Sequence, residues 1–145
     1  MLKFKSKFLT ILVNALLAIW ILPQWITGIL GWLIFRNGKL YYNEDAKILV
    51  LNVNKGHLFG NACCSSGPII FTTPECNENT IKHETGHSVQ SLMFGWFFHI
   101  IVSLPSVILF WTKRILGKDQ SWYHSKYPES HADKLGHVDV SVYGL

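Results

Sequence analysis

Charge is scarce in this chain. Only 15% of its 145 residues are Asp, Glu, Lys or Arg, against roughly a quarter in ordinary soluble domains. None falls in residues 8–35, and none again in residues 88–112. With 49% hydrophobic residues and a mean hydropathy of +0.22, the composition points to a lipid environment. Cysteine is also sparse. Cys63, Cys64 and Cys76 are odd in number and two are adjacent, which excludes a disulfide framework and leaves either a reducing compartment or one bridge beside a free thiol. There is no internal repeat and no low-complexity linker, so the length reads as one domain with a modest core. A basic stripe is missing as well. The net charge of +4 and pI near 9.0 come from scattered lysines, which suits anionic lipid and sets nucleic acid aside as a partner.

What is present begins with the first charge-free run. It is 28 residues long, and about 20 suffice to cross a hydrocarbon core. Lys3, Lys5 and Lys7 before it resemble the start of a signal peptide, but the run is too long and lacks a small-residue cleavage site. An N-terminal transmembrane helix is therefore expected, with residues 1–36 as a membrane anchor. Pro23 and Gly28 leave open a bent span or a shallow hairpin.

Residues 37–145 form the expected working domain. Residues 36–45 read as a polar connection around Gly38. Residues 46–53 and 68–73 read as two short buried strands, with a turn at 54–56 and loops at 60–61 and 65–67. Asn79 or Thr80 caps the next helix, expected over 81–94 with Gly95 as its stop.

That helix carries His83-Glu84-Thr85-Gly86-His87. Two histidines four apart share a helical face, so both imidazoles reach one metal ion while Glu84 stays free to act as a base. A catalytic zinc site takes three protein ligands and leaves a position for water. Pro128 and Gly136 bracket a short downstream helix in which Glu129 and Asp133, four apart, share a face. Glu129 completes the ligand set, and Asp133 accepts the free ring N–H of a ligand histidine. Cys76 with His83 and His87 matches no familiar zinc spacing. His124 and His131 lie near this site in sequence; each is a candidate for holding an oxyanion, with exposed surface histidine as the competing reading.

The pairing of an HExxH helix with a downstream ExxxD helix resembles the gluzincin, or thermolysin-like, zinc metallopeptidases, through His83, Glu84, His87, Glu129 and Asp133. Thr80 to Ser91, and Tyr127 to Gly136, also look like a group of small bacterial membrane proteins carrying the same two motifs. The resemblance implies peptide hydrolysis, with one strand ahead of the metal helix holding extended substrate by backbone addition. A pair of strands that merely covers the helix is the alternative.

The second charge-free run, 25 residues at 88–112, conflicts with a shared site if it crosses a bilayer straight, since His87 and Glu129 would then lie on opposite sides. A bent or re-entrant helical pair, broken at Ser103-Leu104-Pro105-Ser106, returns both ends to one face. Residues 92–116 are thus a membrane-associated insertion. His99 within it reads as packed or interfacial. Lys113, Arg114 and Lys118 mark a return to head groups, and Trp122, Tyr123 and Tyr127 suit the interface. Val138, Val140 and Val142 alternate, as an edge strand does.

The expected fold class is α+β, mainly helical. The expected function is a membrane-attached Zn2+-dependent peptidase acting on a peptide or protein substrate, with the lipid bilayer as partner and the bacterial plasma membrane as location. A non-enzymatic accessory or immunity protein with a structural metal site, and an intramembrane metalloprotease, are the alternatives. A single N-terminal crossing places the site outside the cytoplasm; a hairpin places it inside.

Overall fold

In the computed structural model, residues 4–35, 38–44, 46, 48–53 and 63–145 are described. Ser6 opens the first helix, its hydroxyl accepting from the Leu9 amide, and α1 runs Lys7–Trp20. At Ile21 the chain bends by 73°, and α2 continues over Leu22–Ile34 with Pro23 in its first turn, where the missing N–H breaks no helical bond. The first charge-free run is therefore not one straight helix but two, of 14 and 13 residues, the bent arrangement that Pro23 left open. Each is about 20 Å long at 1.5 Å per residue, short of the roughly 30 Å hydrocarbon core. Gly28 does not break α2; it brings the helix against the Ser66 carbonyl and Ile69 of the sheet.

Four strands follow: β1 Lys39–Asn43, β2 Ile48–Asn52, β3 Cys64–Ser66 and β4 Ile69–Thr72. They lie in the order β1-β2-β4-β3, with β2 and β4 parallel and the other pairs antiparallel. The two expected buried strands are β2 and β4. Two further stretches differ from expectation. The polar connection at 36–45 contains β1, because Lys39–Asn43 pairs along the whole of β2; the loop at 65–67 belongs partly to β3, which a tight turn at Gly67 and Pro68 folds back onto β4. The expected turn at 54–56 and loop at 60–61 lie outside the described residues. Alternation sends Leu51, Val53, Ile69 and Phe71 to one face with Phe35, and Ile48, Val50 and Ile70 to the other with Ile81. The sheet is thus a middle layer, with the α2 side on one face and the next helix on the other.

That helix, α3, spans Glu78–Phe94, capped by the Asn77 side chain on the Thr80 amide, two residues before the nearer expected cap. It stops at Gly95, as the sequence indicates. Gly95 has φ 51 and ψ −125, a combination open to glycine, and any side chain there would run into the Trp20 ring. A short 3-10 turn Gly95–Phe97 and a π-helical turn His99–Ser103 lead into α4, Leu104–Leu116. The chain therefore turns at Gly95, not at the expected break around Pro105. The π turn explains the difference: the Leu104 amide bonds back to the His99 carbonyl, and Pro105 enters in the first turn of α4, where its absent donor costs little. Trp20 Nε1 donates to the Leu92 carbonyl (2.8 Å), Trp96 Nε1 to the Ile19 carbonyl (2.9 Å) and Gln24 Nε2 to the Gly95 carbonyl. The two bends in the apolar segments are thus stapled to each other.

After α4 come α5, Gln120–His124, and α6, Glu129–Gly136, which packs along α3. The expected edge strand at 137–145 is instead a 3-10 turn, Val140–Tyr143, because the Asp139 carboxylate captures the Ser141 amide and hydroxyl at 3.1 and 2.6 Å. The fold is α+β and mainly helical.

Candidate metal centre

The site forms where α3 crosses α6. At Gly86 a side chain would overlap the Ala132 carbonyl, and at Gly136 it would overlap the Lys82 carbonyl. Two bare backbone positions let the helices approach closely enough for their polar faces to meet. Gly136 is the last residue of α6, not the residue past its end: His137 takes the left-handed cap, with φ 55.

His83 and His87 project from α3, and Glu129 from the first turn of α6. Glu129 Oε2 lies 2.9 Å from His83 Nε2 and 3.2 Å from His87 Nε2. Asp133 sits one turn further along α6. Its Oδ1 accepts from His83 Nδ1 at 2.7 Å and its Oδ2 from His124 Nδ1 at 2.8 Å. The Gln90 Oε1 accepts from His87 Nδ1 at 2.7 Å, while Gln90 Nε2 donates to the Pro128 carbonyl and to His131 Nδ1, each at 3.1 Å. Every imidazole on α3 therefore has its Nδ1 committed to an acceptor and its Nε2 turned to Glu129. This is the tautomer that metal ligation needs.

The residues fit a metal ion. The ligand atoms of His83, His87 and Glu129 all lie within 4.8 Å of one another, and all three side chains are buried. Ligands held about 2.0–2.1 Å from a tetrahedral ion stand roughly 3.3 Å apart, close to the spacing already present. Glu129 is wholly buried, yet its Oε1 has no hydrogen-bond partner. His83, His124 and Asp133 form a second close group, but there both carboxylate oxygens are satisfied by histidine N–H groups. That group orients the first. His/Glu/Asp chemistry of this kind suits a divalent cation.

Electrostatics follow from this packing. Burial pulls the His83 pKa down, but the Asp133 and Glu129 carboxylates outweigh it and hold it up at about 10. His87 is pulled down by burial and raised by Glu129, with a net rise. Burial raises Glu129, and the two imidazoles more than reverse this, leaving it well below the carboxylate range. Asp133 is likewise raised by burial and lowered further by His124 and His83.

Glu84 stands beside the ligands without joining them. It is buried, and its Oε2 has no partner. Two cavities flank this position. One, of about 410 Å³, lies among α2, β3, the π turn and α4; the other, of about 330 Å³, lies between the 75–80 segment, α4, α5 and the C-terminal turn. His83, Glu84, Tyr123 and Cys63 line both.

His124 departs from its expected surface position. It is buried, bound to Asp133 and stacked on Tyr143 at a centroid distance of 3.7 Å. His131 is held by Gln90 and stacks at 6.1 Å on Tyr127. His124 lines the smaller cavity and His131 lines neither. Tyr123, expected at a membrane interface, is the hydroxyl that reaches the site: it lies 3.4 Å from Ser106 Oγ and interacts with Glu129. Burial, and then Glu129, push its pKa up, so it remains a proton donor. Its position immediately before His124 and six residues ahead of Glu129 was the available signal. Cys63 and Cys76 form a disulfide, and Cys64 is a free thiol whose pKa burial and Glu84 push up to about 12. In comparisons with known proteins, the chain matches no family model, no curated protein and no solved structure.

Proposed function

We propose that this protein is a membrane-attached, zinc-dependent peptidase of gluzincin type. The observation that carries the reading is Glu84: buried, with one carboxylate oxygen unpartnered, beside three convergent ligands and in the lining of two cavities. His83, His87 and Glu129 would hold the ion. A bound Zn2+ there supplies a Lewis acid that makes water more acidic and draws electron density from a carbonyl. Glu84 is placed to take the proton from the attacking water and return it to the leaving nitrogen as the C–N bond breaks. Tyr123 O–H is placed to donate to the developing oxyanion, and Asp133 fixes His83.

Attachment to a membrane is supported by the surface. His99–Leu116 forms an 18-residue, predominantly apolar helical stretch with a mean hydropathy of 1.3 and only 6% of it buried. Leu92, Met93, Trp96 and Phe97 on the adjoining turn, and Ile11, Ile19, Ile26 and Leu33 on the bent N-terminal pair, are exposed too. Lys113 and Arg114 in the last turn of α4 suit anionic head groups.

A purely structural metal site would fill its remaining position with protein. The two side chains best suited to do so are engaged elsewhere: Cys76 is bonded to Cys63, and His131 to Gln90. This favours catalysis over an accessory role.

The test is metal content and peptide hydrolysis on detergent-purified wild type, Glu129→Ala and Glu84→Gln. We expect about one zinc per chain in the wild type and in Glu84→Gln, loss of zinc in Glu129→Ala, and turnover in the wild type alone, the Glu84 change costing about 10²-fold or more. Full activity in Glu84→Gln would reject the mechanism.

A further inference from the structure

The two cavities flanking the site differ in chemistry. The larger is walled by Leu30 and Ile34 of α2, Phe71 of β4, Phe98, and Val102 and Val107 on the way into α4. Leu30, Ile34 and Val107 are at the same time exposed on the outer surface, so this cavity opens onto the apolar face of the molecule. The smaller one is more polar than the first: Glu75, Asn77, Asn79, Lys113 and Gln120 border it beside Phe110, Val142 and Tyr143. Each falls within the roughly 300–1,000 Å³ usual for ligand sites.

Glu84 and His83 line both cavities, so the two share a wall at the metal centre. A substrate reaching Glu84 therefore has one part in the apolar cavity and its continuation in the polar one. A wholly polar chain would strip water from its groups against Leu, Ile, Phe and Val without replacement partners, and a wholly apolar chain would do the same to Glu75 and Lys113. β3, the terminal strand of the sheet among the described residues, supplies Ser65 and Ser66 to the wall of the apolar cavity, so strand backbone borders it. A peptide offers amide groups to such a wall; a plain acyl chain offers none.

From this geometry we propose, resting on the peptidase reading, that the substrate is a membrane-bound peptide cut at the junction of an apolar and a polar segment. The apolar segment enters from the lipid side between α2 and α4. The polar segment leaves past Lys113 and Gln120. Hydrolysis adds water across the junction amide, giving a carboxylic acid and an amine, with no other reactant.

The experiment uses the full chain, zinc-loaded, in lipid nanodiscs. Four fluorogenic peptides of equal length are compared: an apolar half followed by a polar half, the reverse order, a wholly polar peptide, and a scramble of the first. We expect one half-and-half peptide to be cleaved at its junction with kcat/KM at least about tenfold above the polar and scrambled peptides. Val107→Trp, which narrows the apolar cavity without touching a ligand, should remove that preference and leave zinc content unchanged.

A second arm does not depend on turnover. Zinc-loaded Glu84→Gln is irradiated with the half-and-half peptides carrying a diazirine in the apolar half, and crosslinks are expected on α2 and α4. Equal cleavage of the polar and scrambled peptides, or crosslinks confined to other elements, overturns the proposal while leaving the peptidase reading intact. Crosslinks on α2 and α4 without hydrolysis of any peptide overturn the peptidase reading and support the substrate class. Hydrolysis of an ester or N-acyl lipid in the disc, with no peptide crosslink, overturns both in favour of a lipid substrate.

Discussion

At the scale of single residues, Asp133 is the side chain on which most others depend. It takes N–H groups from His83 and His124 at once, so its loss would free two rings and leave two buried donors unsatisfied. We expect Asp133→Asn to weaken zinc affinity about 10–100-fold, read by competition with a chelator, with Glu84 and Glu129 still in place. A metal held there would compete with protons for the same nitrogens. With His83 held at about 10, above its ordinary 6.5, its pairing stabilises the metal-free protein fully below pH 6.5 and fades as pH rises through about 10. Glu129, held below its ordinary 4.5, contributes above that value and is lost as acid reaches its lowered pKa. The metal-free protein should thus be most heat-stable between pH 4.5 and 6.5. The zinc-loaded protein should gain stability as pH rises, because ligation needs unprotonated imidazole. Thermal melts from about pH 5 to about pH 9, with zinc and with a chelator, should converge at the acid end and diverge as pH rises; parallel curves would contradict the shared nitrogens.

Residue chemistry was also the most legible part of the sequence. His83, His87, Glu129 and Asp133 could be placed together because i, i+4 spacing is local and their chemistry restrictive. His124 could not. Its partner lies nine residues on, and its stacking partner Tyr143 sits in a tail whose valines read as a strand. Nothing local shows that Asp139 will bend that tail by capturing Ser141.

At the scale of elements, the joint between α3 and α6 carries the site. Gly86 and Gly136 each meet a backbone carbonyl of the other helix, and backbone cannot swing aside as a side chain can. Gly86→Ala and Gly136→Ala should each destabilise the fold, at the upper end of the ~1–3 kcal/mol typical of overpacking. They should also reduce zinc content, since separating the helices separates Glu129 from the histidines. Denaturant titration beside metal analysis checks both; normal stability and normal zinc in Gly86→Ala would mean the helices are not locked at this crossing. The sequence showed these glycines only as helix residues or stops, because close approach depends on what lies opposite. The same limit hid β3: Ser65, Ser66 and Gly67 look like a loop and become strand and turn only by pairing with β4. The Gly95 stop was readable, but the choice of Gly95 over Pro105 as the turning point rests on Trp20 and Gln24, about seventy residues away, gripping that turn.

At the scale of the whole molecule, the apolar surface has a definite address. Trp96 and Trp111 are 54% and 47% exposed among other apolar side chains, whereas Trp122 lies on α5 with Lys126 over its ring. In liposomes containing brominated lipid, tryptophan fluorescence should be quenched strongly, and Trp111→Phe should remove a larger share of the quenching than Trp122→Phe. Equal shares would mean that α4 does not face the lipid. Charge-free runs announced this surface from the start, though not its shape, because a hydrophobic run specifies what it avoids and not where it bends.

The turn at Gly95 has a consequence for how the protein comes into being. His83 and His87 leave the ribosome before α4, and Glu129 after it, so the nascent chain cannot complete the three-ligand set until α4 has doubled back from the turn. A copy in which 95–116 ran straight on from α3 would hold the two halves of the set apart. The ligand set is thus a product of the completed fold, and neither half of the chain carries it alone.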